Sequence, residues 1–264
     1  MLSAVVVVKT ILLYSIALLV SISFAQNSNL QRGDAHYELR AKYASGNMAD
    51  DKNIKAAIKY YQLALTDSTA RETAAWKLLR AYYFLGCFTM LNFKDRQTIF
   101  EKARKEGKAF MKEFPKNAEI AYWYSVNLAL WASLVNPLVV LNAGSIKETR
   151  DIANRLIVQE KNNREAAAYG YQILGRAHQK LPHIAFILSW VNKDSSEIYF
   201  KKALDLNSKD LGTHLFLAEH YMEKGKKQKA EELLQPVIKA KPREKEFLED
   251  ERNLIKMRNL LNLH

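Results

Sequence analysis

Apolar residues near the C-terminus recur at spacings of three, four and seven, which places their side chains on one face of an α-helix. One set lies in Thr213–Met222, a second follows Gly225, and the pattern ends at Pro242. We therefore predict two helices joined by a turn at Gly225. The positions that define the two faces are Leu217, Ala218, Tyr221, Ala230, Leu234 and Val237.

The same pattern recurs upstream at a period of about 34 residues, lengthened in places by inserts. One unit combines Tyr171–Gly175 with Phe200–Leu204, and another combines Trp76–Tyr83 with Ala103–Pro115. The spacing predicts a helix pair for each unit. Further predicted helices are 57–64, the second helix of an incomplete first repeat, and 121–132 and 146–158, a degenerate unit joined by 134–144.

The charged segment Glu244–Leu263 predicts a terminal helix that caps the stack. Nine glycines and five prolines in 264 residues offer few turns, and no segment alternates apolar and polar residues over the length of a strand. We predict an all-α fold: one tetratricopeptide-like solenoid domain, residues 26–264, with about four helix pairs and a C-terminal capping helix. Stacked repeats of this kind form a concave binding surface.

Residues 1–25 have the features of a secretory signal peptide. Lys9 precedes the uncharged run Ile11–Val20, and Ser23 and Ala25 place small residues before a cleavage site. We expect cleavage after Ala25 and export of the mature chain. The alternative is an uncleaved anchor, but the apolar stretch is shorter than the roughly 20 residues that span a bilayer. No cysteine follows it directly to carry a lipid.

Charge narrows the choice of partners. The chain has 40 basic and 28 acidic residues, a net charge of +12, and loss of Lys9 with the signal peptide leaves +11. A positive chain favours anionic partners. Because export separates the chain from nucleic acid, we expect no nucleic-acid partner. An anionic metabolite, a membrane surface and an acidic protein remain open.

The sequence contains no motif for catalysis. It lacks the Gly-x-Ser-x-Gly, Gly-x-Gly-x-x-Gly, P-loop and His-Glu-x-x-His patterns. His214 and His220 are six apart on one predicted helix, so they do not share a face as a metal pair would. Cys87 lies in an apolar segment, which indicates a buried side chain. We expect no enzyme activity, no cofactor and no metal site.

Two features are candidates for binding a partner or ligand. The first is the density of aromatic residues between positions 122 and 131, since rigid rings make contacts at low entropic cost; inter-helix core is the alternative. The second is the pair of apolar inserts Leu134–Leu141 and Leu181–Val191, which either pack on the stack or face a partner, a ligand or a membrane; Leu181–Val191 is also a candidate contact with another subunit. The candidate residues are Tyr122, Trp123, Trp131, Phe186 and Trp190.

The sequence resembles the TatT-like proteins, periplasmic tetratricopeptide components associated with tripartite ATP-independent (TRAP) transporters. The resemblance implies a periplasmic helical protein that forms a homotrimer beside a solute-binding protein and a membrane permease. The chain lacks the lipoprotein cysteine of many members, and its turn at His183–Val191 is apolar rather than glycine-rich. The segments that carry the resemblance are AYWYSVNLALWA (121–132), LGRAHQKLP (174–182), YFKKAL (199–204) and HLFLAEHYMEKGKKQKAEELL (214–234).

The leading hypothesis is an exported, non-enzymatic adaptor that binds a protein partner, such as a solute-binding protein, or passes a small hydrophobic or anionic solute to it. The alternative is a structural scaffold for envelope protein assembly with no small-molecule ligand. A eukaryotic family, the regulator of microtubule dynamics proteins, shares the same repeat pattern, so the resemblance alone does not establish a role in transport. Solute transport predicts a continuous cavity lined by Trp123, Trp131 and Trp190, whereas scaffolding predicts a shallow open groove.

Overall fold

The computed structural model describes residues 28–186 and 188–263. These residues form twelve α-helices, and they contain no β-structure beyond isolated bridges. The signal peptide predicted for residues 1–25 and its cleavage after Ala25 lie outside the described residues. The helices are α1 Asn29–Glu38, α2 Lys52–Ala64, α3 Arg71–Phe88, α4 Phe93–Glu113, α5 Ala118–Ala132, α6 Pro137–Asn142, α7 Ser145–Ile157, α8 Arg164–Lys180, α9 Lys193–Leu206, α10 Leu211–Glu223, α11 Lys227–Leu234 and α12 Phe247–Leu260.

Ten of these helices pack as five pairs: α1 with α2, α3 with α4, α5 with α7, α8 with α9, and α10 with α11. The short α6 lies in the connection of the third pair, and α12 follows the last pair. The predicted all-α, tetratricopeptide-like solenoid is confirmed. The first repeat is complete, because α1 supplies a first helix that the apolar periodicity did not reveal. Only Gly33 and Tyr37 of α1 are buried, which is too few for a periodic signal.

Local sequence explains where the helices begin. The side-chain oxygen of an asparagine or aspartate at the N-cap accepts a backbone N–H from the first turn of six helices, which satisfies a donor that the helix itself cannot pair. Ser28 and Gln31 form a reciprocal capping box at the start of α1. The six capping residues are Asn92 for α4, Asn117 for α5, Asn136 for α6, Asn163 for α8, Asn192 for α9 and Asp210 for α10.

Three pairs are held together by an aromatic ring that lies on a glycine. Tyr61 of α2 covers Gly33 of α1, and a methyl group added to that glycine would lie 2.5 Å from the ring. Phe100 of α4 covers Gly86 of α3 in the same way, as does Phe200 of α9 on Gly175 of α8. Each ring is fully buried. Because glycine has no side chain, the second helix can approach the first until the ring touches the backbone.

The last helix joins the two ends of the stack. In its second half, Leu254 and Met257 are fully buried in one hydrophobic cluster with residues of α10 and α11, as expected for a cap. In its first half, Leu248 is fully buried in the larger cluster that includes α1, α3 and α5. Thus α12 contacts both the last and the first repeats. No helix within residues 28–186 and 188–263 is both long and apolar enough to cross a membrane.

We predict that Gly175→Ala lowers the free energy of unfolding by about 1–3 kcal/mol, because the new methyl group would lie 2.6 Å from the buried ring of Phe200. Gly212→Ala is the matched control, since its nearest neighbour, Asp210 Oδ2, is 3.4 Å away. The control should be neutral or stabilising by up to about 1 kcal/mol, as expected for alanine in a helix. Urea denaturation measures both, and equal effects would contradict the close contact.

Candidate partner-binding face

Four aromatic side chains from three successive first helices lie next to one another. Tyr83 of α3 contacts Trp123 of α5 with ring centroids 5.4 Å apart, and Trp123 meets its neighbour Tyr122 edge-on at 5.1 Å. Tyr122 stacks on Tyr169 of α8 at 4.0 Å, with 19° between the ring planes. All four are half-buried. We call Tyr83, Trp123, Tyr122 and Tyr169 the aromatic row.

Hydrogen bonds extend the aromatic row to α10. The Tyr122 hydroxyl donates to Gln172 Oε1 at 3.3 Å, and Gln172 Nε2 donates to Asp210 Oδ2 and Thr213 Oγ1, each at 2.7 Å. Asp210 also caps α10. The first helices of four consecutive pairs, α3, α5, α8 and α10, therefore share one surface of aromatic and polar groups.

Two carboxylates lie beside the aromatic row. Burial, and to a smaller extent the Glu165 carboxylate, raises the pKa of Glu119 above its ordinary value, although Arg80 and a hydrogen bond from Trp123 act to lower it. The Tyr169 hydroxyl donates to Glu165 Oε1 at 2.8 Å. Among the described residues, neither carboxylate forms a salt bridge. This face is therefore locally acidic in a chain with a positive net charge.

Trp131 faces away from the aromatic row. It follows Tyr122 by nine residues, or two and a half helical turns, so its side chain points to the other side of α5. The ring is buried against α4, where the guanidinium of Arg104 lies 4.5 Å from its centroid. Together with Val135 and Val139 it lines an open groove of about 770 Å³ at the surface of α4.

The insert between α8 and α9 has an exposed part and a buried part. Phe186 is fully exposed and has a φ of 65°, in the left-handed region that few side chains adopt. Leu188, two residues later, is 4% exposed. Trp190 is half-buried: it meets His178 of α8 edge-on at 5.2 Å, and the Arg150 guanidinium lies 5.3 Å from its ring centroid.

The structure thus distributes the five candidate residues over three places. Tyr122 and Trp123 lie together in the aromatic row, Trp131 lines the groove at α4, and Phe186 and Trp190 belong to the insert. The groove lined by Trp131 includes neither Trp123 nor Trp190, so it is not the continuous cavity that solute transport predicts. The same residues include no group of three histidine, cysteine or acidic side chains that could hold a metal ion.

The beginning of α12 lies against the opposite end of the solenoid. Arg40, just after α1, is 4% exposed and donates to Glu249 Oε1 at 2.9 Å and to Glu246 Oε2 at 3.3 Å. It also donates to the main-chain carbonyl of Lys245. Arg40 and Glu249 are 209 residues apart in sequence. The first turn of α12 and the residues before it therefore close one side of the solenoid against the first pair.

A second contact fixes α12 to the end of α3. The guanidinium of Arg252 lies 3.5 Å from the ring centroid of Phe88 and donates to the carbonyl of Cys87. Burial raises the pKa of the Cys87 thiol to about 11, so the thiol is protonated at neutral pH. The side chain is half-buried rather than fully buried, as its apolar surroundings had predicted it to be.

Comparison with known proteins agrees with this architecture. Residues 199–248, from α9 to the start of α12, match the tetratricopeptide repeat family. TTC0263, a thermophilic tetratricopeptide protein from Thermus thermophilus, has a similar structure: the TM-score is 0.59 at 17% identity, and the match covers 90% of this chain and 100% of that chain. The fold is a tetratricopeptide-like solenoid.

Two further solved structures match less well. MamA from Desulfovibrio magneticus RS-1 gives a TM-score of 0.43 at 14% identity, over 81% of this chain and 96% of that chain. Another MamA structure gives 0.43 at 16% identity, over 81% and 99%. No curated protein matches the sequence. Tetratricopeptide-like solenoids generally act as non-catalytic proteins that bind other proteins, through the extended surfaces that their stacked repeats form. In this solenoid, the aromatic row crosses three successive repeats.

The closure by α12 was not predicted from the sequence. The residues that make it, Arg40 and Arg80 on one side and Glu246 and Glu249 on the other, belong to segments at the two ends of the chain. The available signal was the acidic start of the terminal helix, which carries five carboxylates in the eight residues 244–251. Such a run is ordinarily a solvated helix start, and only the folded chain shows that two of these carboxylates, Glu246 and Glu249, meet arginines of the first two repeats.

We predict that Phe186→Ala and Leu188→Ala separate the two parts of the insert. Loss of the exposed ring should change the free energy of unfolding by less than about 0.5 kcal/mol. Loss of the buried leucine should lower it by about 2–5 kcal/mol. Urea denaturation measures both, and sedimentation velocity shows whether the Phe186 variant changes the oligomeric state. Equal losses of stability would mean that the insert is not divided as described.

We further predict that Glu249→Gln alters how stability depends on pH. Burial raises the pKa of Glu249 from 4.5 to about 7, while Arg40 lowers it and Glu246 raises it. The folded chain therefore holds this proton more tightly than the unfolded chain. The resulting stabilisation is complete below pH 4.5 and is lost as the pH rises through 7. Tyr37 also faces this group, and Arg80 pairs with the neighbouring Glu246.

Between about pH 5 and pH 8, the wild type should lose about 1–3 kcal/mol of stability relative to Glu249→Gln, measured by urea denaturation. Glu244→Gln is the matched control, because Glu244 is exposed in the turn before α12. It should keep the wild-type pH profile. If Glu249→Gln also keeps that profile, the raised pKa is wrong.

Proposed function

We propose that this protein is an exported adaptor whose aromatic row binds a segment of a partner protein. The aromatic row supports this function because it crosses three repeats on the first helices and remains half-buried rather than filled by the core. Rigid rings with two rotatable bonds lose little entropy on binding, and tyrosine and tryptophan are enriched where partners make their strongest contacts. We propose no catalytic activity, no cofactor and no metal for this protein.

The chemistry of the face favours a protein segment over a small solute. Glu119 and Glu165 have no salt-bridge partner within the described residues, so an anionic solute would be repelled there. A hydrophobic solute needs an enclosed apolar cavity, whereas the described groove at Trp131 is open and lined by charged side chains as well as apolar ones. A partner with a lysine or arginine beside an apolar residue fits both the carboxylates and the rings.

The four sequence segments that carry the TatT-like resemblance support a more specific version of this proposal. In it, the chain is periplasmic after removal of residues 1–25, and the partner is the solute-binding protein of a TRAP transporter. In a homotrimer, we propose that the exposed Phe186 contributes to the contact between subunits. Scaffolding of envelope proteins without a ligand is the second candidate, and the open groove at Trp131 is the observation that favours it.

We predict that a photo-reactive phenylalanine analogue, p-benzoylphenylalanine, forms an adduct with the partner when it replaces Tyr122 or Tyr169. The replacement retains an aromatic ring in the row, so the fold should be kept. Tyr43 is the matched control, because it is 69% exposed and lies outside the row. Irradiation of intact cells, followed by mass spectrometry of the adducts, identifies what lies against each position.

A solute-binding protein linked at positions 122 and 169 but not at 43 supports the TRAP-associated function. Envelope proteins of other classes linked at the same two positions support the scaffold instead. The same adducts from all three positions would refute the aromatic row as the binding face. N-terminal sequencing of the protein from the periplasmic fraction tests export separately, since cleavage after Ala25 leaves a chain that starts at Gln26.

A further inference from the structure

Two arginines and a tyrosine form a site on the first two repeats. The guanidinium carbons of Arg40 and Arg80 lie 4.2 Å and 4.1 Å from the ring centroid of Tyr37, on a ring that is 4% exposed. Two like charges this close to one ring require anions nearby. Their salt-bridge partners within the described residues come from Glu246 and Glu249, and none comes from the first four helices.

The group that occupies this site is a single acidic turn of the same chain. Glu246 and Glu249 are one helical turn apart, so both carboxylates reach the arginines together. Leu248 lies between them and is fully buried in the hydrophobic cluster of the first repeats. This set of contacts defines what the site recognises: two carboxylates spaced i and i+3, with an apolar side chain at i+2.

The fit between the acidic turn and the site is incomplete. Three buried polar atoms, the Tyr37 hydroxyl, Arg80 Nε and Glu249 Oε2, have no hydrogen-bond partner among the described residues. An unsatisfied buried polar atom makes a contact weaker than one in which every group is paired. A segment with better-placed acceptors for Tyr37 and Arg80 could therefore compete with the chain's own turn.

The arrangement of α12 allows its first half to detach while the second half stays in place. Leu254 and Met257 anchor the second half in the core of the last pair. The first half is preceded by a short 3-10 turn, Glu244–Glu246, and Glu246 makes no side-chain cap to α12. Detachment would take Arg252 off the carbonyl of Cys87 and expose the half-buried thiol to solvent, so the alkylation rate of this thiol, the only one in the chain, reports the change.

From these contacts we infer that Tyr37, Arg40 and Arg80 form a receptor for an acidic helical segment of a partner protein, which the turn Glu246–Glu249 occupies in the free chain. The partner segment carries two carboxylates one turn apart with an apolar side chain between them. It replaces the chain's own turn when it binds. This site does not depend on the aromatic row, and the proposed function can fail without affecting it.

The test uses the full chain with Leu248→Ala, which weakens the chain's own turn without touching the receptor. The probe is a synthetic, fluorescein-labelled peptide with the sequence of residues 244–256, EKEFLEDERNLIK. Fluorescence anisotropy should show at least tenfold tighter peptide binding to Leu248→Ala than to the wild type. Iodoacetamide should alkylate Cys87 at least tenfold faster in the variant, and added peptide should slow this reaction again.

Two controls establish that the receptor is specific. Leu254→Ala removes the same side chain from the buried face of the second half of α12, so it loosens the helix without vacating the receptor. It should not increase peptide affinity. A peptide with glutamine at the positions of Glu246 and Glu249 should bind Leu248→Ala at least tenfold more weakly. Adding Arg40→Lys to Leu248→Ala keeps the positive charge but removes the multiple hydrogen bonds of the guanidinium. This double variant should bind the acidic peptide more weakly than Leu248→Ala does, by a smaller factor than the one expected for the glutamine peptide.

The inference is overturned if the acidic peptide does not bind Leu248→Ala, provided that circular dichroism shows the variant is folded. It is also overturned if the glutamine peptide binds equally well, or if Leu254→Ala gains the same affinity, because binding would then reflect general exposure of apolar surface. None of these outcomes involves Tyr122 or Tyr169, so they leave the cross-linking test of the aromatic row unaffected.

Discussion

A buried guanidinium that needs several acceptors determines how this solenoid is closed. Arg40 is 4% exposed, and charge at that depth is tolerated only when it is paired and hydrogen-bonded. Its acceptors in the described chain include the carboxylates of Glu246 and Glu249 and the carbonyl of Lys245, all from the C-terminal segment. The last helix therefore packs on the first repeat as well as on the last, and a stack that could have remained open has its two ends joined.

This closure changes what the inner surface can do. An open stack would present every first helix to a partner, but here the start of α12 covers the ends of α1 and α3 and leaves the aromatic row half-buried. The two regions also differ in charge. Arg40 and Arg80 make the covered region basic, whereas Glu119 and Glu165 make the region beside the aromatic row acidic. One solenoid therefore has separate places for acidic and for basic partner groups, despite an overall charge of +12.

The candidate residues show which side-chain positions follow from the local sequence and which depend on the folded chain. Tyr122 and Trp123 are adjacent, so they lie within about 100° of each other on any helix, and their contact followed directly from the predicted helix. Trp131 has the same chemistry but is two and a half turns away, so helical geometry already placed it on the other side of α5. Phe186 and Leu188 lie in an irregular insert where no period applies, and only the folded chain decides which of the two is buried.

Much of the fold was determined by the sequence itself. The three-four spacing specified most of the helices, asparagine and aspartate caps fixed where several begin, and each glycine covered by an aromatic ring set the distance within a pair. These signals act over a few residues or within one repeat. The closure depends instead on rotations that accumulate over five pairs and on inserts of unequal length, which bring Arg40 to Glu249 across 209 residues. No local sequence pattern specifies this accumulated rotation. Only the tertiary structure therefore decided which face is covered by α12 and which remains open to a partner.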